Sequence, residues 1–199
     1  MALYHFSVRN VSRGKGQMVV ASAAYISGQR IFDSYYNKIH DYTSKSGVVF
    51  TEILTPEYVP ERLTDRETLW NEVEHVERNN KAQLAYSFDI ALQNELTLEE
   101  NIRLAKEFCQ EQFVARGMIV DLAVHEGKSD NEEEPDNPHF HVLVPIRPFT
   151  EEGIWGNKQR REYILDEDGN RVKDAKGKEI FNAVSTTGWN DPELLKEWR

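Results

Sequence analysis

The sequence is poor in cysteine: Cys109 is its single cysteine in 199 residues, which excludes an internal disulfide. It also lacks any apolar run near the roughly 20 residues that a membrane-spanning helix needs. The first residues, MALYHFSVRN, lack the apolar stretch of a secretory signal peptide. These absences predict a cytoplasmic protein with no membrane span.

The sequence also lacks an excess of positive charge, because 34 acidic residues against 24 lysines and arginines give a net charge of -10. Taken as a total, that balance argues against a nucleic-acid partner. The charges are unevenly distributed, however: the stretch from Glu126 to Asp136 is strongly acidic and typical of a solvated loop, whereas basic residues gather elsewhere. A local basic face can attract a polyanion despite an acidic total. The candidates for such a face are Arg9, Arg13, Lys15, Arg30, Lys158, Arg160 and Arg161.

The order of hydrophobic patterns predicts an α+β fold with a largely antiparallel central sheet of about five strands, flanked by helices. Strands are predicted at 2–11, 48–54, 83–92, 118–126 and 139–146. Helices are predicted from Met18 to about Gly28, after Thr64 and after Thr97. Both threonines are followed three residues later by glutamate, as in a capping box.

The residues after Pro148 have a different character. Turn signals such as Asp-Gly and Lys-Gly predict a basic, exposed hairpin from Glu162 to Ala183. A last helix opens at Asp191 and breaks off in mid-pattern at Arg199. With no repeat or linker visible, we expect a single domain, 1–199, that forms the N-terminal part of a longer protein.

The stretch NPHFHVLV carries His139 and His141 two residues apart in a predicted strand, so their side chains point to the same face. His125 ends the preceding strand and can lie beside them if the two strands pair. Three imidazoles facing one point predict a divalent-metal site with open positions. A His-x-His pair is also compatible with an incidental or structural role.

Tyr25 lies in the Ala-rich helix VVASAAYISGQR, where the small residues before it leave room for a bulky group. It is a candidate nucleophile for a phosphate held at a metal. Packing in the core, as one of eight tyrosines, is the alternative.

Four motifs in the same order as in a known family run through nearly the whole chain. YHFSVRNVSRGKGQ followed by ASAAYISGQRI, and VDLAVHEG followed by NPHFHVLV, resemble the MobA/MobL-type plasmid mobilisation relaxases, a branch of the HUH single-strand endonucleases. LWNEVEHVERNNKAQLA with IAL, and the tail TTGWNDPELLKEWR, also match family segments.

The resemblance implies an HUH-endonuclease-like fold and an enzyme that nicks and rejoins one DNA strand at an origin of transfer. Tyr25 would form a 5′-phosphotyrosyl bond, and His125, His139 and His141 would bind a divalent metal ion. Mg²⁺ or Mn²⁺ fits best, with Ni²⁺, Co²⁺ or Zn²⁺ as alternatives. The implied partners are single-stranded DNA, an adjacent DNA hairpin, accessory mobilisation proteins and a coupling protein. Trp155 is a candidate stacking platform for bases.

The chain departs from the family where an arginine and a glutamate usually follow Gln83-Leu84-Ala85, because it has Tyr86 and Ser87 there. If that glutamate assists the tyrosine, this protein must use Asp89, Glu77 or water as the base. Other readings are an HUH replication initiator or transposase, a non-catalytic DNA-binding module, and a histidine-dependent nucleotide phosphoesterase. The last is disfavoured because Leu143 stands where a third histidine is expected.

Overall fold

A computed structural model describes residues 5–128 and 136–198 of the chain. The predicted acidic loop therefore lies largely outside the described residues. The expected domain comprises two compact units that divide after Trp155. Among the described residues, no helix is both long and apolar enough to cross a membrane.

The first unit is built on a five-stranded antiparallel sheet, which confirms the predicted α+β fold. Its strands, in spatial order, are β1 (Phe6–Ser12), β5 (Gln83–Ala91), β7 (His139–Pro145), β6 (Val120–His125) and β4 (Val48–Leu54). The described residues of this unit also form the α-helices α1 (Val19–Ser27), α2 (Arg66–Val76) and α3 (Leu98–Gln112). A separate two-stranded hairpin joins β2 (Arg30–Asp33) to β3 (Lys38–Asp41).

The two faces of the sheet have different partners. The face that carries His139 and His141 packs against α1 and α2, whose buried side chains include Val20 and Trp70. By strand alternation, Phe140 points to the other face, where it meets Phe108 of α3. Burying an apolar side chain of this size stabilises a fold by roughly 1.5–3 kcal/mol, so both layers are held firmly.

Small residues let α1 lie close to its neighbours. Ala23 and Ala24 are fully buried, whereas the next residue of the same helix, Tyr25, is exposed. The helix ends because Gly28 adopts the left-handed conformation, with φ of 63°, and a Cβ there would lie 3.2 Å from Val48. The predicted end of the helix near Gly28 is confirmed.

Two details of the predicted elements are wrong. The N-cap of α2 is Asp65, whose side chain accepts a hydrogen bond from the backbone N–H of Thr68, and Thr64 lies in a short 3₁₀ turn. The β2–β3 hairpin is absent from the predicted elements. The capping box of α3, formed by Thr97 and Glu100, is confirmed.

The second unit contains the paired strands β8 (Gln159–Tyr163) and β9 (Phe181–Ser185) and the short helix α4 (Pro192–Glu197). Between the strands lies an eight-residue repeat that the sequence pattern did not predict. Ile164, Val172 and Ile180 occupy equivalent positions and hydrogen-bond to one another through their backbones. In each repeat an aspartate, Asp166 or Asp174, accepts backbone N–H groups within its own turn. The predicted hairpin from Glu162 to Ala183 is confirmed, since β8 and β9 pair antiparallel at its base, and two successive tight turns lie between these strands.

Candidate metal centre and nucleophile

Three histidines from neighbouring strands meet on one face of the sheet. His125 of β6 is directly opposite His139 of β7, and His141 lies two residues further along β7. Their ring centroids are 4.7 to 5.2 Å apart. One ring nitrogen from each lies within 4.8 Å of the others, so the three can share one metal ion.

In two of these histidines, one ring nitrogen forms a hydrogen bond to a backbone carbonyl. His125 donates its Nε2–H to the carbonyl of Ile26 at 2.7 Å, and His139 donates its Nδ1–H to the carbonyl of Asn137 at 2.8 Å. Each bond leaves the other nitrogen with its lone pair free, as a metal ligand requires. Burial lowers the pKa of both His125 and His141 to about 4, so these rings stay neutral near pH 7. The cluster fits a divalent ion.

Tyr25 opens onto the same site. Tyr25 is 49% exposed, whereas most other residues of α1 are buried. It lines a cleft of about 440 Å³ together with all three histidines. It also lines a second cleft of about 430 Å³, which shares His141 with the first. The two clefts therefore meet at Tyr25 and His141, and the alternative of a core tyrosine is excluded.

Buried polar contacts fix both ends of α1 and hence the position of Tyr25. At the N-terminus, Glu74 of α2 accepts the backbone N–H of Val19 at 3.0 Å and pairs with Arg13 at 2.6 Å. This contact replaces a local cap, because Met18 at the N-cap position makes no side-chain cap bond.

Just beyond the C-terminus of α1, Gln29 accepts a hydrogen bond from Arg66 at 2.8 Å. Arg66 forms a bidentate pair with the fully buried Asp121, which also accepts the indole N–H of Trp70 at 2.7 Å. Asp121 belongs to β6, the strand of His125, so one polar network connects the tyrosine helix to the metal-site strand.

The two acids proposed from the sequence lie in different surroundings. Asp89 pairs in register with His141 and lines a small cleft with His139, so its negative charge faces the histidine cluster. Glu77 is the C-cap residue that follows α2. Its carboxylate pairs with Arg147 at 2.8 Å, and it lines neither Tyr25 cleft. Ser87, at the position of the family's glutamate, lines the second cleft.

The predicted basic face is only partly assembled. Arg9 is exposed and lines the second Tyr25 cleft, and Lys15 is exposed in the turn before α1. Arg30 is exposed and lies 3.6 Å from Asp41. Arg13 does not belong to this face: it is buried, and its guanidinium is held by Glu74 and by the carbonyls of Glu77 and Asn79.

The remaining DNA-binding candidates lie away from the clefts or in the second unit. Trp155 packs edge-on against Phe149 and donates its indole N–H to Glu72, so it is a half-buried packing residue. In the second unit, Arg160 pairs with Glu162 and Arg161 stacks on Phe181. The backbone carbonyl of Lys158, just before β8, accepts a hydrogen bond from the backbone N–H of Thr186.

Lys45 is a residue of the site that sequence reasoning missed. It lines the cleft with Tyr25 and the three histidines, and its ammonium lies over the Tyr25 ring. It is located in the loop after β3, where no motif distinguishes one lysine from another. Its proximity to Tyr25 arises only from the fold.

An antiparallel sheet with three clustered histidines beside an exposed helix tyrosine is the arrangement that a mobilisation relaxase is expected to have. The chain belongs to the MobA/MobL family, whose model matches residues 17–199. It is 36% identical over 202 residues to the conjugal transfer protein TraA of Agrobacterium fabrum, covering 96% of this chain. It is 36% identical over 174 residues to a probable mobilization protein MobA of Bifidobacterium longum, covering 86% of this chain.

A solved structure has the same fold. It comes from work on the molecular basis of vancomycin resistance transfer in Staphylococcus aureus. The match covers 100% of this chain and 87% of the solved chain, with 34% sequence identity and a TM-score of 0.74. The sequence relatives are longer: this chain spans 18% of the length of TraA and 30% of MobA.

Proposed function

We propose that this chain nicks and rejoins one strand of DNA at an origin of transfer, and so initiates the mobilisation of a plasmid. The observation that carries the proposal is the exposed Tyr25, which opens onto the same cleft as the three clustered histidines. The names of the relatives, conjugal transfer protein and mobilization protein, support it.

The reaction is an exchange of phosphoesters. The Tyr25 hydroxyl oxygen attacks a backbone phosphorus, the bond from that phosphorus to the 3′ oxygen breaks, and the strand is left with a 3′-hydroxyl and a 5′-phosphotyrosyl end. The phenolic proton is lost and the 3′ oxygen gains one. Because one phosphoester replaces another, the same step in reverse rejoins the strand.

Three residues would hold the metal ion: His125, His139 and His141. A divalent ion held there, Mg²⁺ or Mn²⁺, would offset the negative charge that builds up on the phosphate oxygens in the transition state. Asp89 supports the cluster, since its carboxylate faces His141 and favours cationic charge there.

Water takes the proton from Tyr25 in this proposal. Among the described residues, Glu126 is the one carboxylate that lines either Tyr25 cleft, and it pairs with Lys128 at 3.2 Å. Glu77 is held by Arg147 and is not used. The half-exposed Tyr25 side chain is open to solvent.

The two clefts that meet at Tyr25 give a single strand a path across the nucleophile. Arg9 on the second cleft offers a phosphate contact, and Asn10, Gln17 and Ser22 there offer hydrogen bonds to bases. We propose that the turns of the second unit bind an adjacent DNA hairpin. Accessory mobilisation proteins and a coupling protein are the further partners proposed.

Trapping tests the proposed function directly. The chain is incubated with Mn²⁺ and a library of labelled single-stranded oligonucleotides, then denatured, and covalent adducts are mapped by peptide mass spectrometry. We expect one adduct, on Tyr25, formed with Mn²⁺ and lost with EDTA. No adduct with any oligonucleotide would contradict the proposal and favour a non-catalytic DNA-binding module.

Replacing any one of the three metal-site histidines by alanine should weaken Mn²⁺ binding and DNA cleavage together. We expect a loss of at least about 100-fold in affinity, since even hydrogen-bond partners of metal ligands are worth about 10- to 100-fold. Isothermal titration with Mn²⁺ and a cleavage assay measure the two effects. The control is His75→Ala, because His75 contacts Ser34 and Tyr35 and lines neither cleft. Unchanged Mn²⁺ affinity in all three variants would remove the metal site.

Neutralising Lys158, Arg160 and Arg161 together should weaken DNA binding and flatten its salt dependence. The slope of log affinity against log salt should fall by roughly 0.7 for each phosphate of a single strand that the variant no longer neutralises. Because Arg161 already stacks on Phe181, we expect the change in slope to be smaller than three free cations would give. Fluorescence anisotropy at a series of salt concentrations measures the slope.

Mn²⁺ affinity should not change in this triple variant, because none of the three residues lines the cleft of the three histidines. Arg9→Gln is the matched comparison in the first unit, at the second Tyr25 cleft. If the triple variant keeps both affinity and slope while Arg9→Gln loses them, DNA binding runs through the Tyr25 clefts and the second unit is only a surface hairpin.

A further inference from the structure

Lys45 contacts Tyr25 at two places. Its ammonium donates a hydrogen bond to the Tyr25 carbonyl oxygen at 3.0 Å and lies 3.8 Å from the centroid of the Tyr25 ring. Tyr42 adds an edge-to-face contact, with the ring centroids 5.4 Å apart and the planes at 88°. The half-exposed Tyr25 side chain is therefore restrained by the ammonium of Lys45 and the ring of Tyr42.

The loop that carries Lys45 is fixed at both ends. At its start, the Tyr42 N–H donates to the carbonyl of Gln29 at 3.2 Å, just beyond α1. At its end, the carbonyl of Gly47 accepts from the N–H of Glu126 at 2.9 Å, next to His125. The loop thus bridges the helix of the nucleophile and the strand of a metal-site histidine.

Partial burial strengthens the contacts of Lys45 with Tyr25. Partial removal from water lowers the pKa of Lys45, so its ammonium has lost part of its hydration. A carbonyl oxygen and the negative face of an aromatic ring compensate for that loss, and a cation–π contact gains strength when it is desolvated. In contrast, Lys128 in the same cleft is exposed and pairs with Glu126.

We propose that Lys45 is a positioning residue that holds the Tyr25 ring in the orientation needed for attack on the phosphate. This rests on the proposed nicking reaction. A half-exposed tyrosine has several staggered rotamers available, and only those that point the hydroxyl at the phosphate are productive. By restraining backbone and ring together, Lys45 reduces the unproductive population before DNA binds, as a near-attack geometry requires.

The test compares Lys45→Met, which keeps the length of the side chain, with Lys45→Arg, which keeps its charge. For Lys45→Met we expect the single-turnover rate of adduct formation to fall by about 10- to 100-fold, since small misplacements of reacting groups have effects of this size. Saturating DNA is used so that the rate, and not the affinity, is compared. Lys45→Arg should recover most of the rate. Lys45→Gln replaces Lys45→Met if the latter does not fold.

A second readout reports on the tyrosine without any reaction. The chain is labelled with 3-fluorotyrosine, and the Tyr25 resonance is assigned in the ¹⁹F spectrum through its absence in Tyr25→Phe. Lys45→Met should shift this resonance and alter its line width, whereas Lys45→Arg should do so much less. Lys128→Met removes the same charge from the same cleft and should leave the resonance in place.

The outcomes separate the two proposals. If Lys45→Met leaves both the Tyr25 resonance and the rate at wild-type values, or if Lys128→Met shifts the resonance equally, Lys45 does not position Tyr25. If the wild-type chain forms no adduct, the nicking reaction is disproved, and the ¹⁹F spectrum alone still decides whether Lys45 restrains the tyrosine. A shifted resonance with a reduced rate, rescued by Lys45→Arg, supports both.

Discussion

Tyr25→Phe is expected to abolish covalent attachment to DNA while leaving DNA binding almost unchanged. The substitution removes the attacking oxygen, and loss of a nucleophile from a hydrolase lowers kcat by on the order of 10⁶-fold. Phenylalanine keeps the ring that Lys45 and Tyr42 contact, so the fold and the clefts should remain intact. Denaturing gels with labelled oligonucleotides measure the adduct, and anisotropy measures binding.

The control for this prediction is Tyr35→Phe, because Tyr35 is an exposed tyrosine in the β2–β3 turn that lines neither cleft. It should form the adduct at the wild-type rate. Undiminished nicking by Tyr25→Phe would contradict the role of Tyr25. Such a result, combined with loss of cleavage in the histidine variants, would favour a phosphoesterase with a histidine nucleophile.

The histidine cluster was predictable because it depends on local periodicity. Strand alternation alone places His139 and His141 on one face, and a single strand pairing then brings in His125. The five-stranded antiparallel sheet followed in the same way from alternating patterns and confirmed the predicted fold class. The roles of Tyr25 and of the three histidines remain proposals, based on the geometry and the family.

The surroundings of Tyr25 were not predictable because they depend on long-range partners. Arg13 is expected at the surface as a basic residue near other basic residues. In the fold it is buried and pairs with the carboxylate of Glu74, which is 61 residues away in the sequence. Glu77 is a candidate base in the sequence but pairs with Arg147 in the fold. Lys45 is 20 residues from Tyr25 and reaches it only because β2 and β3 turn the chain back.

The β2–β3 hairpin shows a different limit. Its four-residue strands are too short for a clear alternating pattern, and its turn is made by Ser34-Tyr35-Tyr36-Asn37 with no glycine. Asn37 takes the left-handed conformation instead, with φ of 50°, as asparagine more readily does than most residues. The buried Asp33 accepts the backbone N–H groups of Tyr35 and Tyr36 and so closes the turn.

Of the substitutions considered, Glu74→Ala should cause the largest fall in the free energy of unfolding. The carboxylate is fully buried, and its removal leaves the Arg13 guanidinium buried without its ion-pair partner and the Val19 N–H without an acceptor. Breaking one partner of a buried ion pair costs about 3–5 kcal/mol of unfolding free energy. In a chain of this length that corresponds to a fall in Tm of about 10 °C, measured by circular dichroism.

The control on the same helix is Glu67→Ala, since the exposed Glu67 also accepts one backbone N–H, that of Phe32. A single exposed hydrogen bond is worth about 1 kcal/mol, so its Tm should fall far less. Equal losses of Tm in Glu74→Ala and Glu67→Ala would show that the buried pair contributes nothing specific. Glu74→Ala should also slow adduct formation, because Glu74 fixes the N-terminus of the helix that carries Tyr25.

Glu74→Gln separates the two tasks of this carboxylate. A glutamine amide oxygen can still accept the Val19 N–H and fix the start of α1, but it cannot balance the charge of Arg13. If the helix contact provides most of the stability, Glu74→Gln will lie near the wild type in Tm and in the rate of adduct formation. If the ion pair provides most of it, Glu74→Gln will approach Glu74→Ala in Tm. We expect the Tm of Glu74→Gln to approach that of Glu74→Ala, because the charge of Arg13 is buried between α2 and the turn before α1. We expect its rate of adduct formation to stay near the wild-type rate, because the position of Tyr25 depends on where α1 begins.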